Sequence, residues 1–297
     1  MVDINRGTTG VPELLPAEVS QEIIQKVEAA SVVMGLARRV VLPGAGIVVP
    51  EILSDSVPEF VGETERKPVS NPTVGHKTLK GHKIAVVQTY SDEFRRDLPG
   101  LFNALINRLP GTLAKTFDLA ALHGIGAPAA DFDTLAGADE VSIANVTPGS
   151  DDAYAGFLAA LAAVDAGGGD LDAWALSTQA EILALSNRDT NGSPILSPNP
   201  LTTGSVGQIL GRPVFRSGNA QDADTGTVGI AGDWDYARYG VVEAVSIDIS
   251  DNPVFNSDGA LVTAGWQDNM IGVRAEFHVG FLADDTKFVR LTSESGS

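Results

Sequence analysis

Side chains able to act as nucleophiles, bases or metal ligands are few in this sequence, and their spacing matches no familiar catalytic pattern. The chain has no cysteine, which excludes thiolate nucleophiles, thiolate metal sites and disulfides. The histidines are His76, His82, His123 and His278, and no two have the spacing of a zinc-binding helix. A Gly-x-Ser-x-Gly elbow and a phosphate-binding P-loop are also missing from the sequence. We therefore predict no catalytic residue, no metal site and no cofactor.

Two short patterns imitate chemical sites. Residues 222–226 superficially suggest a calcium loop, but the spacing and the closing glutamate of an EF-hand are missing. The segment Ser91-Asp92-Glu93 places a hydroxyl beside two carboxylates, with no nearby base to activate it. We expect a surface turn at the first and, at the second, a strand-to-helix turn capped by the hydroxyl.

The elements around Ser91 are a strand and a long helix. Residues 79–90 alternate in a way that predicts a strand. Asp97 is predicted to cap a helix that ends near Gly124, because apolar residues then recur at every fourth position. These residues are Leu101, Leu105, Leu109, Leu113, Phe117 and Ala121. The pair Pro110-Gly111 predicts a kink or a break, because proline removes a helical hydrogen bond.

The stretch before the strand at residues 79–90 is polar and interrupted by prolines from residue 54 to residue 80. A segment of that length without a core-facing pattern is unusual inside a compact domain. A protruding two-stranded hairpin explains it better. Isolated hairpins are marginally stable in water, so we expect this one to lie on a neighbouring subunit.

The net charge of −18 is distributed unevenly over the 297 residues. Residues 1–115 are neutral overall, residues 116–187 hold 11 acidic and no basic side chains, and residues 188–297 carry −7. This balance argues against a groove that grips nucleic acid, which needs clustered Lys and Arg. The acidic middle indicates a solvated surface. The alternative is that acidic surfaces meet at a symmetry axis and need cations to screen them.

Other segments predict further helices and strands, and together they indicate an α+β fold. Residues 151–166 and 178–187 are predicted helices on either side of a buried strand at 173–177. The C-terminal third predicts strands separated by Gly, Asn and Asp turns. Its most regular strand is 271–281, with which residues 287–291 are predicted to pair. The sequence contains neither a signal peptide nor an apolar stretch approaching the ~20 residues that span a bilayer, so we predict no membrane contact.

The order of these elements resembles the major capsid proteins of tailed bacteriophages, whose shared architecture is the Hong Kong 97 type. That family shows an aromatic-Val-x-Glu segment, a Lys-Pro-x-Ser element, a strand containing Lys-Ile-Ala and a Ser-x-Glu signature. The corresponding segments here are 60–63, 67–70, 83–85 and 91–93. Residues 174–177, 187–196 and 211–214 resemble the family's axial region, and residues 232–233 and 273–275 its closing segments. The resemblance covers roughly residues 17–292.

The resemblance implies a division of the chain into five parts. They are an N-terminal arm (1–53), an extended hairpin loop (54–82), a peripheral-domain strand and spine helix (83–125), an axial domain (126–250) and peripheral-domain strands with the C-terminal segment (251–297).

The resemblance also implies a structural protein without an active site, whose functional residues lie at subunit contacts. The candidates are Phe60, Glu63, Arg66, Lys67, Lys77, Lys80, Asp131, Asp133, Asp139 and Glu140. The four acidic residues from 131 to 140 are hypothesised to face symmetry axes and to make assembly sensitive to cations. Some relatives join their subunits by a Lys–Asn isopeptide bond. Lys67, Lys77 or Lys80 with Asn252, Asn256 or Asn269 have the required types, but nothing marks one pair and we do not predict the bond.

The implied partners are other copies of the chain, arranged as pentamers and hexamers of a shell that encloses DNA without a sequence-specific site. A separate scaffolding protein is expected, because the chain reaches its arm helix within sixteen residues of Met1. A portal is expected as well. The implied location is the virion, after synthesis in the cytoplasm of a bacterial host. Two alternatives stay open: an encapsulin-type nanocompartment shell, and a hydrolase, carbohydrate-active or metal-dependent enzyme on an α+β scaffold.

Overall fold

The computed structural model describes residues 25–54, 56–63, 66–128, 131–143, 152–186, 196, 205–251, 254–257 and 260–293. The predicted arm helix before residue 25 and the motif at 187–195 lie outside these ranges.

The helices are α1 (described residues 25–30), α2 (Val32–Leu36), α3 (Asp92–Asp97), α4 (Pro99–Ile106), α5 (Leu109–His123), α6 (Asp152–Ala166), α7 (Thr178–Ser186) and α8 (Gly265–Asp268). The strands are β1 (Arg38–Val41), β2 (Ile47–Ser54), β3 (Thr73–Leu79), β4 (His82–Ser91), β5 (Asp139–Ser142), β6 (Ala173–Leu176), β7 (Gly207–Ile209), β8 (Arg212–Arg216), β9 (Thr227–Gly232), β10 (Ala237–Ser250), β11 (Val254–Ser257), β12 (Ala260–Ala264), β13 (Met270–Ala283) and β14 (Phe288–Thr292).

Four strands form a sheet in the order β1-β10-β13-β4, with β1 parallel to β10 and the other pairs antiparallel. Helix α5 packs against one face, where the rings of Phe117 and Phe281 meet edge to face with centroids 6.1 Å apart. Burying each such side chain stabilises the fold by about 1.5–3 kcal/mol. The opposite face carries charged pairs such as Lys83 and Glu276, whose Nζ and Oε2 atoms are 3.1 Å apart. One face of this sheet is therefore core and the other is charged surface.

Six strands form a second sheet in the order β5-β14-β9-β6-β8-β7. Helices α6 and α7 contribute to its buried cluster, in which the rings of Phe157 and Trp174 lie 5.2 Å apart, edge to face. The acidic middle of the chain supplies both helices and two of the strands. The other face of this sheet contributes Ala175, Ile230 and Phe288 to the cluster that also contains Phe281, so the two sheets share a core.

The two sheets divide the chain differently from the sequence prediction. Residues 237–250, placed by sequence in the axial part, form β10 at the centre of the four-stranded sheet. The predicted pairing of residues 287–291 with 271–281 is wrong, because β14 pairs with β5 and β9 in the other sheet. A one-turn 3-10 helix at Asp285–Lys287 carries the chain from β13 across to that sheet. Alternation identifies a strand but does not identify its partner.

The segment from residue 47 to residue 79 is a two-stranded antiparallel hairpin, in which β2 pairs with β3. The prediction of a hairpin is confirmed, but the paired strands start seven residues before the predicted boundary at 54. The reason is that residues 47–49 are apolar and are followed by Pro50, which resembles a short extended piece of the arm more than a hairpin strand. The pairing ends at Ser54 and Thr73, and the residues between them are called the tip below.

The predicted interruption of the long helix is confirmed. Helix α4 ends two residues before α5 begins, and Pro110 sits in the first turn of α5, where its missing N–H costs little. The predicted cap at Asp97 is wrong. Ser91 already starts a helix at the next residue, so Asp97 is the last residue of α3, and Leu98 precedes α4 without a side-chain cap.

A buried carboxylate, Asp118 on α5, joins three parts of the fold. It accepts hydrogen bonds from the Ser31 hydroxyl, from the backbone N–H groups of Val32 (3.1 Å) and Val33 (3.4 Å), and from the Asn219 side-chain amide (2.8 Å). Burial raises the pKa of Asp118, and these hydrogen bonds oppose the shift. The carboxylate thereby ties the start of α2 and a turn of the second sheet to the helix between them.

Candidate functional site

The two patterns that imitate chemical sites are local turns, as predicted. The Ser91 hydroxyl caps α3 by accepting a hydrogen bond from the Phe94 N–H at 3.1 Å. The Asp222 carboxylate accepts from the Asp224 N–H at 3.1 Å and from the Thr225 hydroxyl at 2.7 Å, which closes the loop on itself. Within the described ranges, no group of three or more His, Asp or Glu residues could hold a metal ion. No helix there is long and apolar enough to cross a membrane.

The base of the hairpin is anchored to the rest of the molecule by a small apolar cluster of its own. Leu42, Leu79 and Leu282 are its buried members, one from each of the segments that meet there. Beside them, Gly280 lets two backbones touch, since a Cβ atom at this position would lie 2.1 Å from the Lys80 carbonyl oxygen. The hairpin is therefore held at a fixed angle to the four-stranded sheet.

Four of the predicted interface residues reinforce this anchor inside the chain. Lys77 donates to the Ala283 carbonyl oxygen at 3.0 Å and lies 3.5 Å from the Asp133 carboxylate. The Lys80 ammonium lies 2.6 Å from the Asp131 carboxylate. All four are partly exposed, so each pair stabilises by about 0–1 kcal/mol. Their intrachain pairing links the hairpin to the first acidic residues of the middle region, while a contact with another subunit stays a prediction.

The other two acidic candidates lie elsewhere, on β5 at the edge of the six-stranded sheet. Glu140 accepts from the Arg290 guanidinium at 2.5 Å, whereas Asp139 is exposed beside Val289 in the pairing of β5 with β14. The four predicted axis residues therefore form two separate sites. Pairing with a basic residue already reduces the like-charge repulsion at three of them.

The outer part of the hairpin exposes apolar side chains instead of burying them. Ile52 and Val74 lie opposite each other in the pairing and are 69% and 65% exposed. Beyond them, Phe60 is fully exposed and Val69 is 87% exposed. The remaining candidates at the tip, Glu63, Arg66 and Lys67, are exposed too. Several large apolar side chains exposed on one hairpin, among charged residues, indicate a protein interaction site.

A groove with a volume of about 890 Å³ runs between the hairpin and the ends of β10 and β13. The residues that decide its chemistry are Val49, Ile52, Lys77, Tyr236, Arg238 and Lys287. It combines an apolar wall from β2 with a basic floor, and the Lys287 ammonium lies 5.7 Å from the centre of the Tyr236 ring. Such a lining suits an aromatic side chain with acidic neighbours.

Asp172, just before β6, has a perturbed pKa. Burial raises the pKa of this carboxyl group from 3.8 to about 6, and repulsion from Asp233 and Asp235 adds to the rise. A hydrogen bond from the Trp234 N–H, 3.2 Å from both carboxylate oxygens, opposes it. The acidic middle region therefore contains a group that changes charge at mildly acidic pH.

We expect the free energy of unfolding to decrease as pH rises from about 4 to about 6 through this group. The folded chain keeps the Asp172 proton to higher pH than the unfolded chain does, so its stabilising contribution is complete below pH 4 and is lost as pH rises through the folded pKa. Urea unfolding at several pH values measures the slope. The Asp172→Asn variant should flatten it, and Asp165→Asn, at an exposed position on α6, should not. An equal slope in all three chains would contradict the prediction.

Sequence reasoning missed the groove residues Tyr236, Arg238 and Lys287 and the buried Asp118. The groove gave no signal, because its walls come from segments far apart in the chain. Asp118 could have been found from the sequence, because it directly follows Phe117 in an apolar helix. A carboxylate in such a place needs buried hydrogen-bond donors.

Comparison with known proteins gives a consistent result along the chain. A model of the phage capsid family matches residues 13–292. The chain is 26% identical to a probable major capsid protein, gp17, of Mycobacterium phage D29, covering 97% of this chain and 92% of that protein. A solved structure from Gordonia phage Cozz superposes with a TM-score of 0.70 at 20% identity, covering 90% and 87% of the two chains. One from Mycobacterium phage Ogopogo gives 0.74 at 17% identity, covering 89% and 92%.

Proposed function

The chain belongs to the phage capsid family, and we propose that it is a major capsid protein whose copies build the shell of a virion. Its fold is the α+β, Hong Kong 97-type fold of that family. The observation that carries the proposal is the family match across residues 13–292. The relatives are structural proteins, which favours a shell component over the enzyme alternative, and they are phage capsids, which favours it over an encapsulin.

The architecture suits a shell subunit in physical terms. The two sheets are joined by a shared buried core, while the hairpin projects exposed apolar side chains. Copies arranged head to tail would bury this surface and close into rings. We infer pentamers and hexamers as those rings, with the hairpin of one copy overlying the next. The four-stranded sheet with α5 and the hairpin then make up the peripheral part, and the six-stranded sheet makes up the axial part.

The charge distribution supports two finer proposals. If the acidic unit lies at the ring axes, five or six copies bring Asp139 and its neighbours together, and divalent cations or salt should promote assembly. Because the net charge is −18, we infer that the enclosed DNA is held without a sequence-specific site. Synthesis in a bacterial cytoplasm, a separate scaffolding protein and a portal complete the proposal.

Electron microscopy and sedimentation of the purified chain at near-neutral pH, with and without divalent cations, test the proposal. We expect closed shells, sheets or capsomer-sized rings. A chain that stays monomeric with crowding agents, salt and cations would contradict a shell function. Assembly that is unchanged by chelator and by ionic strength would contradict the cation proposal alone.

A further inference from the structure

The groove beside β2 presents a mixed surface that the described part of the chain leaves open. Ile52 is 69% exposed on its wall, and Tyr236 is 48% exposed on its floor. Arg238 and Lys287 bring two positive charges to the lining, and Lys77 brings a third, which is shared with the Asp133 carboxylate 3.5 Å away; Asp284 is the single carboxylate of the lining. In a chain with a net charge of −18, a concentration of positive charge around exposed apolar groups indicates an acidic, apolar partner.

The first limb of the hairpin tip has the complementary composition. Residues 55–65 contain four acidic side chains and no basic one. Phe60 lies in the middle of this limb, between Glu59 and Glu63, and is fully exposed. An exposed aromatic side chain that becomes buried at an interface removes about 150–250 Å² from water and is a frequent centre of binding energy.

The tip of the same chain does not fill the groove. The groove runs along β2 from Val49 to Ile52, and the tip begins three residues farther on, beyond the last pair of the hairpin, Ser54 and Thr73. Phe60 is nevertheless fully exposed, so its ring lies outside the groove of its own chain. The tip of a second copy can therefore bind there.

We propose that the Phe60 side chain of one copy inserts into the groove of a neighbouring copy, with Glu59 and Glu63 facing Arg238 and Lys287. The contact joins different surfaces of two identical chains, so its repetition forms a ring when the rotation between neighbours closes. The proposal rests on the shell function above and specifies which surfaces of the two copies meet.

Disulfide trapping tests the contact directly, because the natural chain has no cysteine. The Val61→Cys substitution, which leaves Phe60 in place, is combined with Thr286→Cys in the full chain, since Thr286 also lines the groove. Oxidation of the assembled protein should give a ladder of cross-linked oligomers on a non-reducing gel. The control combines Val61→Cys with Thr89→Cys, an exposed position on the charged side of the four-stranded sheet. Shells that give no ladder, or an equal ladder with the control, would overturn the proposal.

A charge exchange gives a second, independent readout. Arg238→Glu should raise the concentration needed for assembly about tenfold, because like charges across an interface repel. Adding Glu59→Lys and Glu63→Lys should restore most of the loss. If Arg238→Glu has no effect, or if the added lysines worsen its defect, the groove has a different occupant. A failure of the proposed function is distinguishable, because the natural chain itself would then form neither rings nor shells.

Discussion

Replacing Asp118 with alanine is expected to lower the free energy of unfolding by about 3–5 kcal/mol. The carboxylate accepts hydrogen bonds from Ser31, Val32, Val33 and Asn219, and the Asp118→Ala substitution leaves these buried or half-buried donors without their acceptor. Each unsatisfied buried donor costs about 1–3 kcal/mol, offset in part because the chain no longer buries a charge. The free energy of unfolding of a native protein is only about 5–15 kcal/mol, so the expected loss is a large fraction of it.

Denaturant titration measures the loss, and two variants make its interpretation specific. Asp118→Asn keeps the size and one acceptor oxygen, so it should lose less stability than Asp118→Ala. Asp165→Ala removes an exposed carboxylate from α6 and should change the free energy by less than about 0.5 kcal/mol. If Asp118→Ala were as stable as Asp165→Ala, the carboxylate would not join the arm, the helix and the second sheet as described.

Local chemistry was the most predictable part of this fold. The Ser91 cap, the break at Pro110 and the closed turn at Asp222 each depend on a few neighbouring residues, so the sequence shows their cause directly. The wrong predictions concern partners. Nothing within residues 287–291 indicates that they pair with β9. The partner of a strand depends on contacts with residues that are far away in the sequence.

The candidate site was predictable only in part, for the same reason. The exposed hairpin could be predicted because a long polar segment has no core to join. The intrachain pairs of Lys77 and Lys80 could not, since residues more than fifty positions away supply the carboxylates. The groove depends on three such distant segments meeting. Contacts between residues far apart in the sequence decide which charged residues pair within the chain and which remain available to a partner. No local sequence pattern contains that information.

The separation between fold and assembly surfaces has an energetic basis. The apolar cluster at the base of the hairpin ties it to the body, whereas every described residue from 56 to 72 has an exposed side chain. Folding of the monomer therefore gains little from the tip. The tip exposes apolar side chains and contributes little to the core, which indicates that it functions in binding. Removing it should therefore affect assembly far more than stability.

Replacing residues 55–72 with Asn-Gly, which forms a tight turn between Ser54 and Thr73, is expected to abolish shell assembly while the chain still folds. The free energy of unfolding should not fall, because no described side chain of the tip is buried and a shorter loop costs less entropy to close. Losing an aromatic anchor such as Phe60 from every contact should raise the assembly concentration at least about tenfold, since such anchors each contribute about 2 kcal/mol or more. Sedimentation and electron microscopy measure assembly, and denaturant titration measures folding.

A second variant keeps the loop length but carries Gly and Ser at 56–63, which separates the effect of the side chains from that of loop closure. Shells of normal yield from the shortened chain would show that the tip is dispensable and that the rest of the chain carries the contacts.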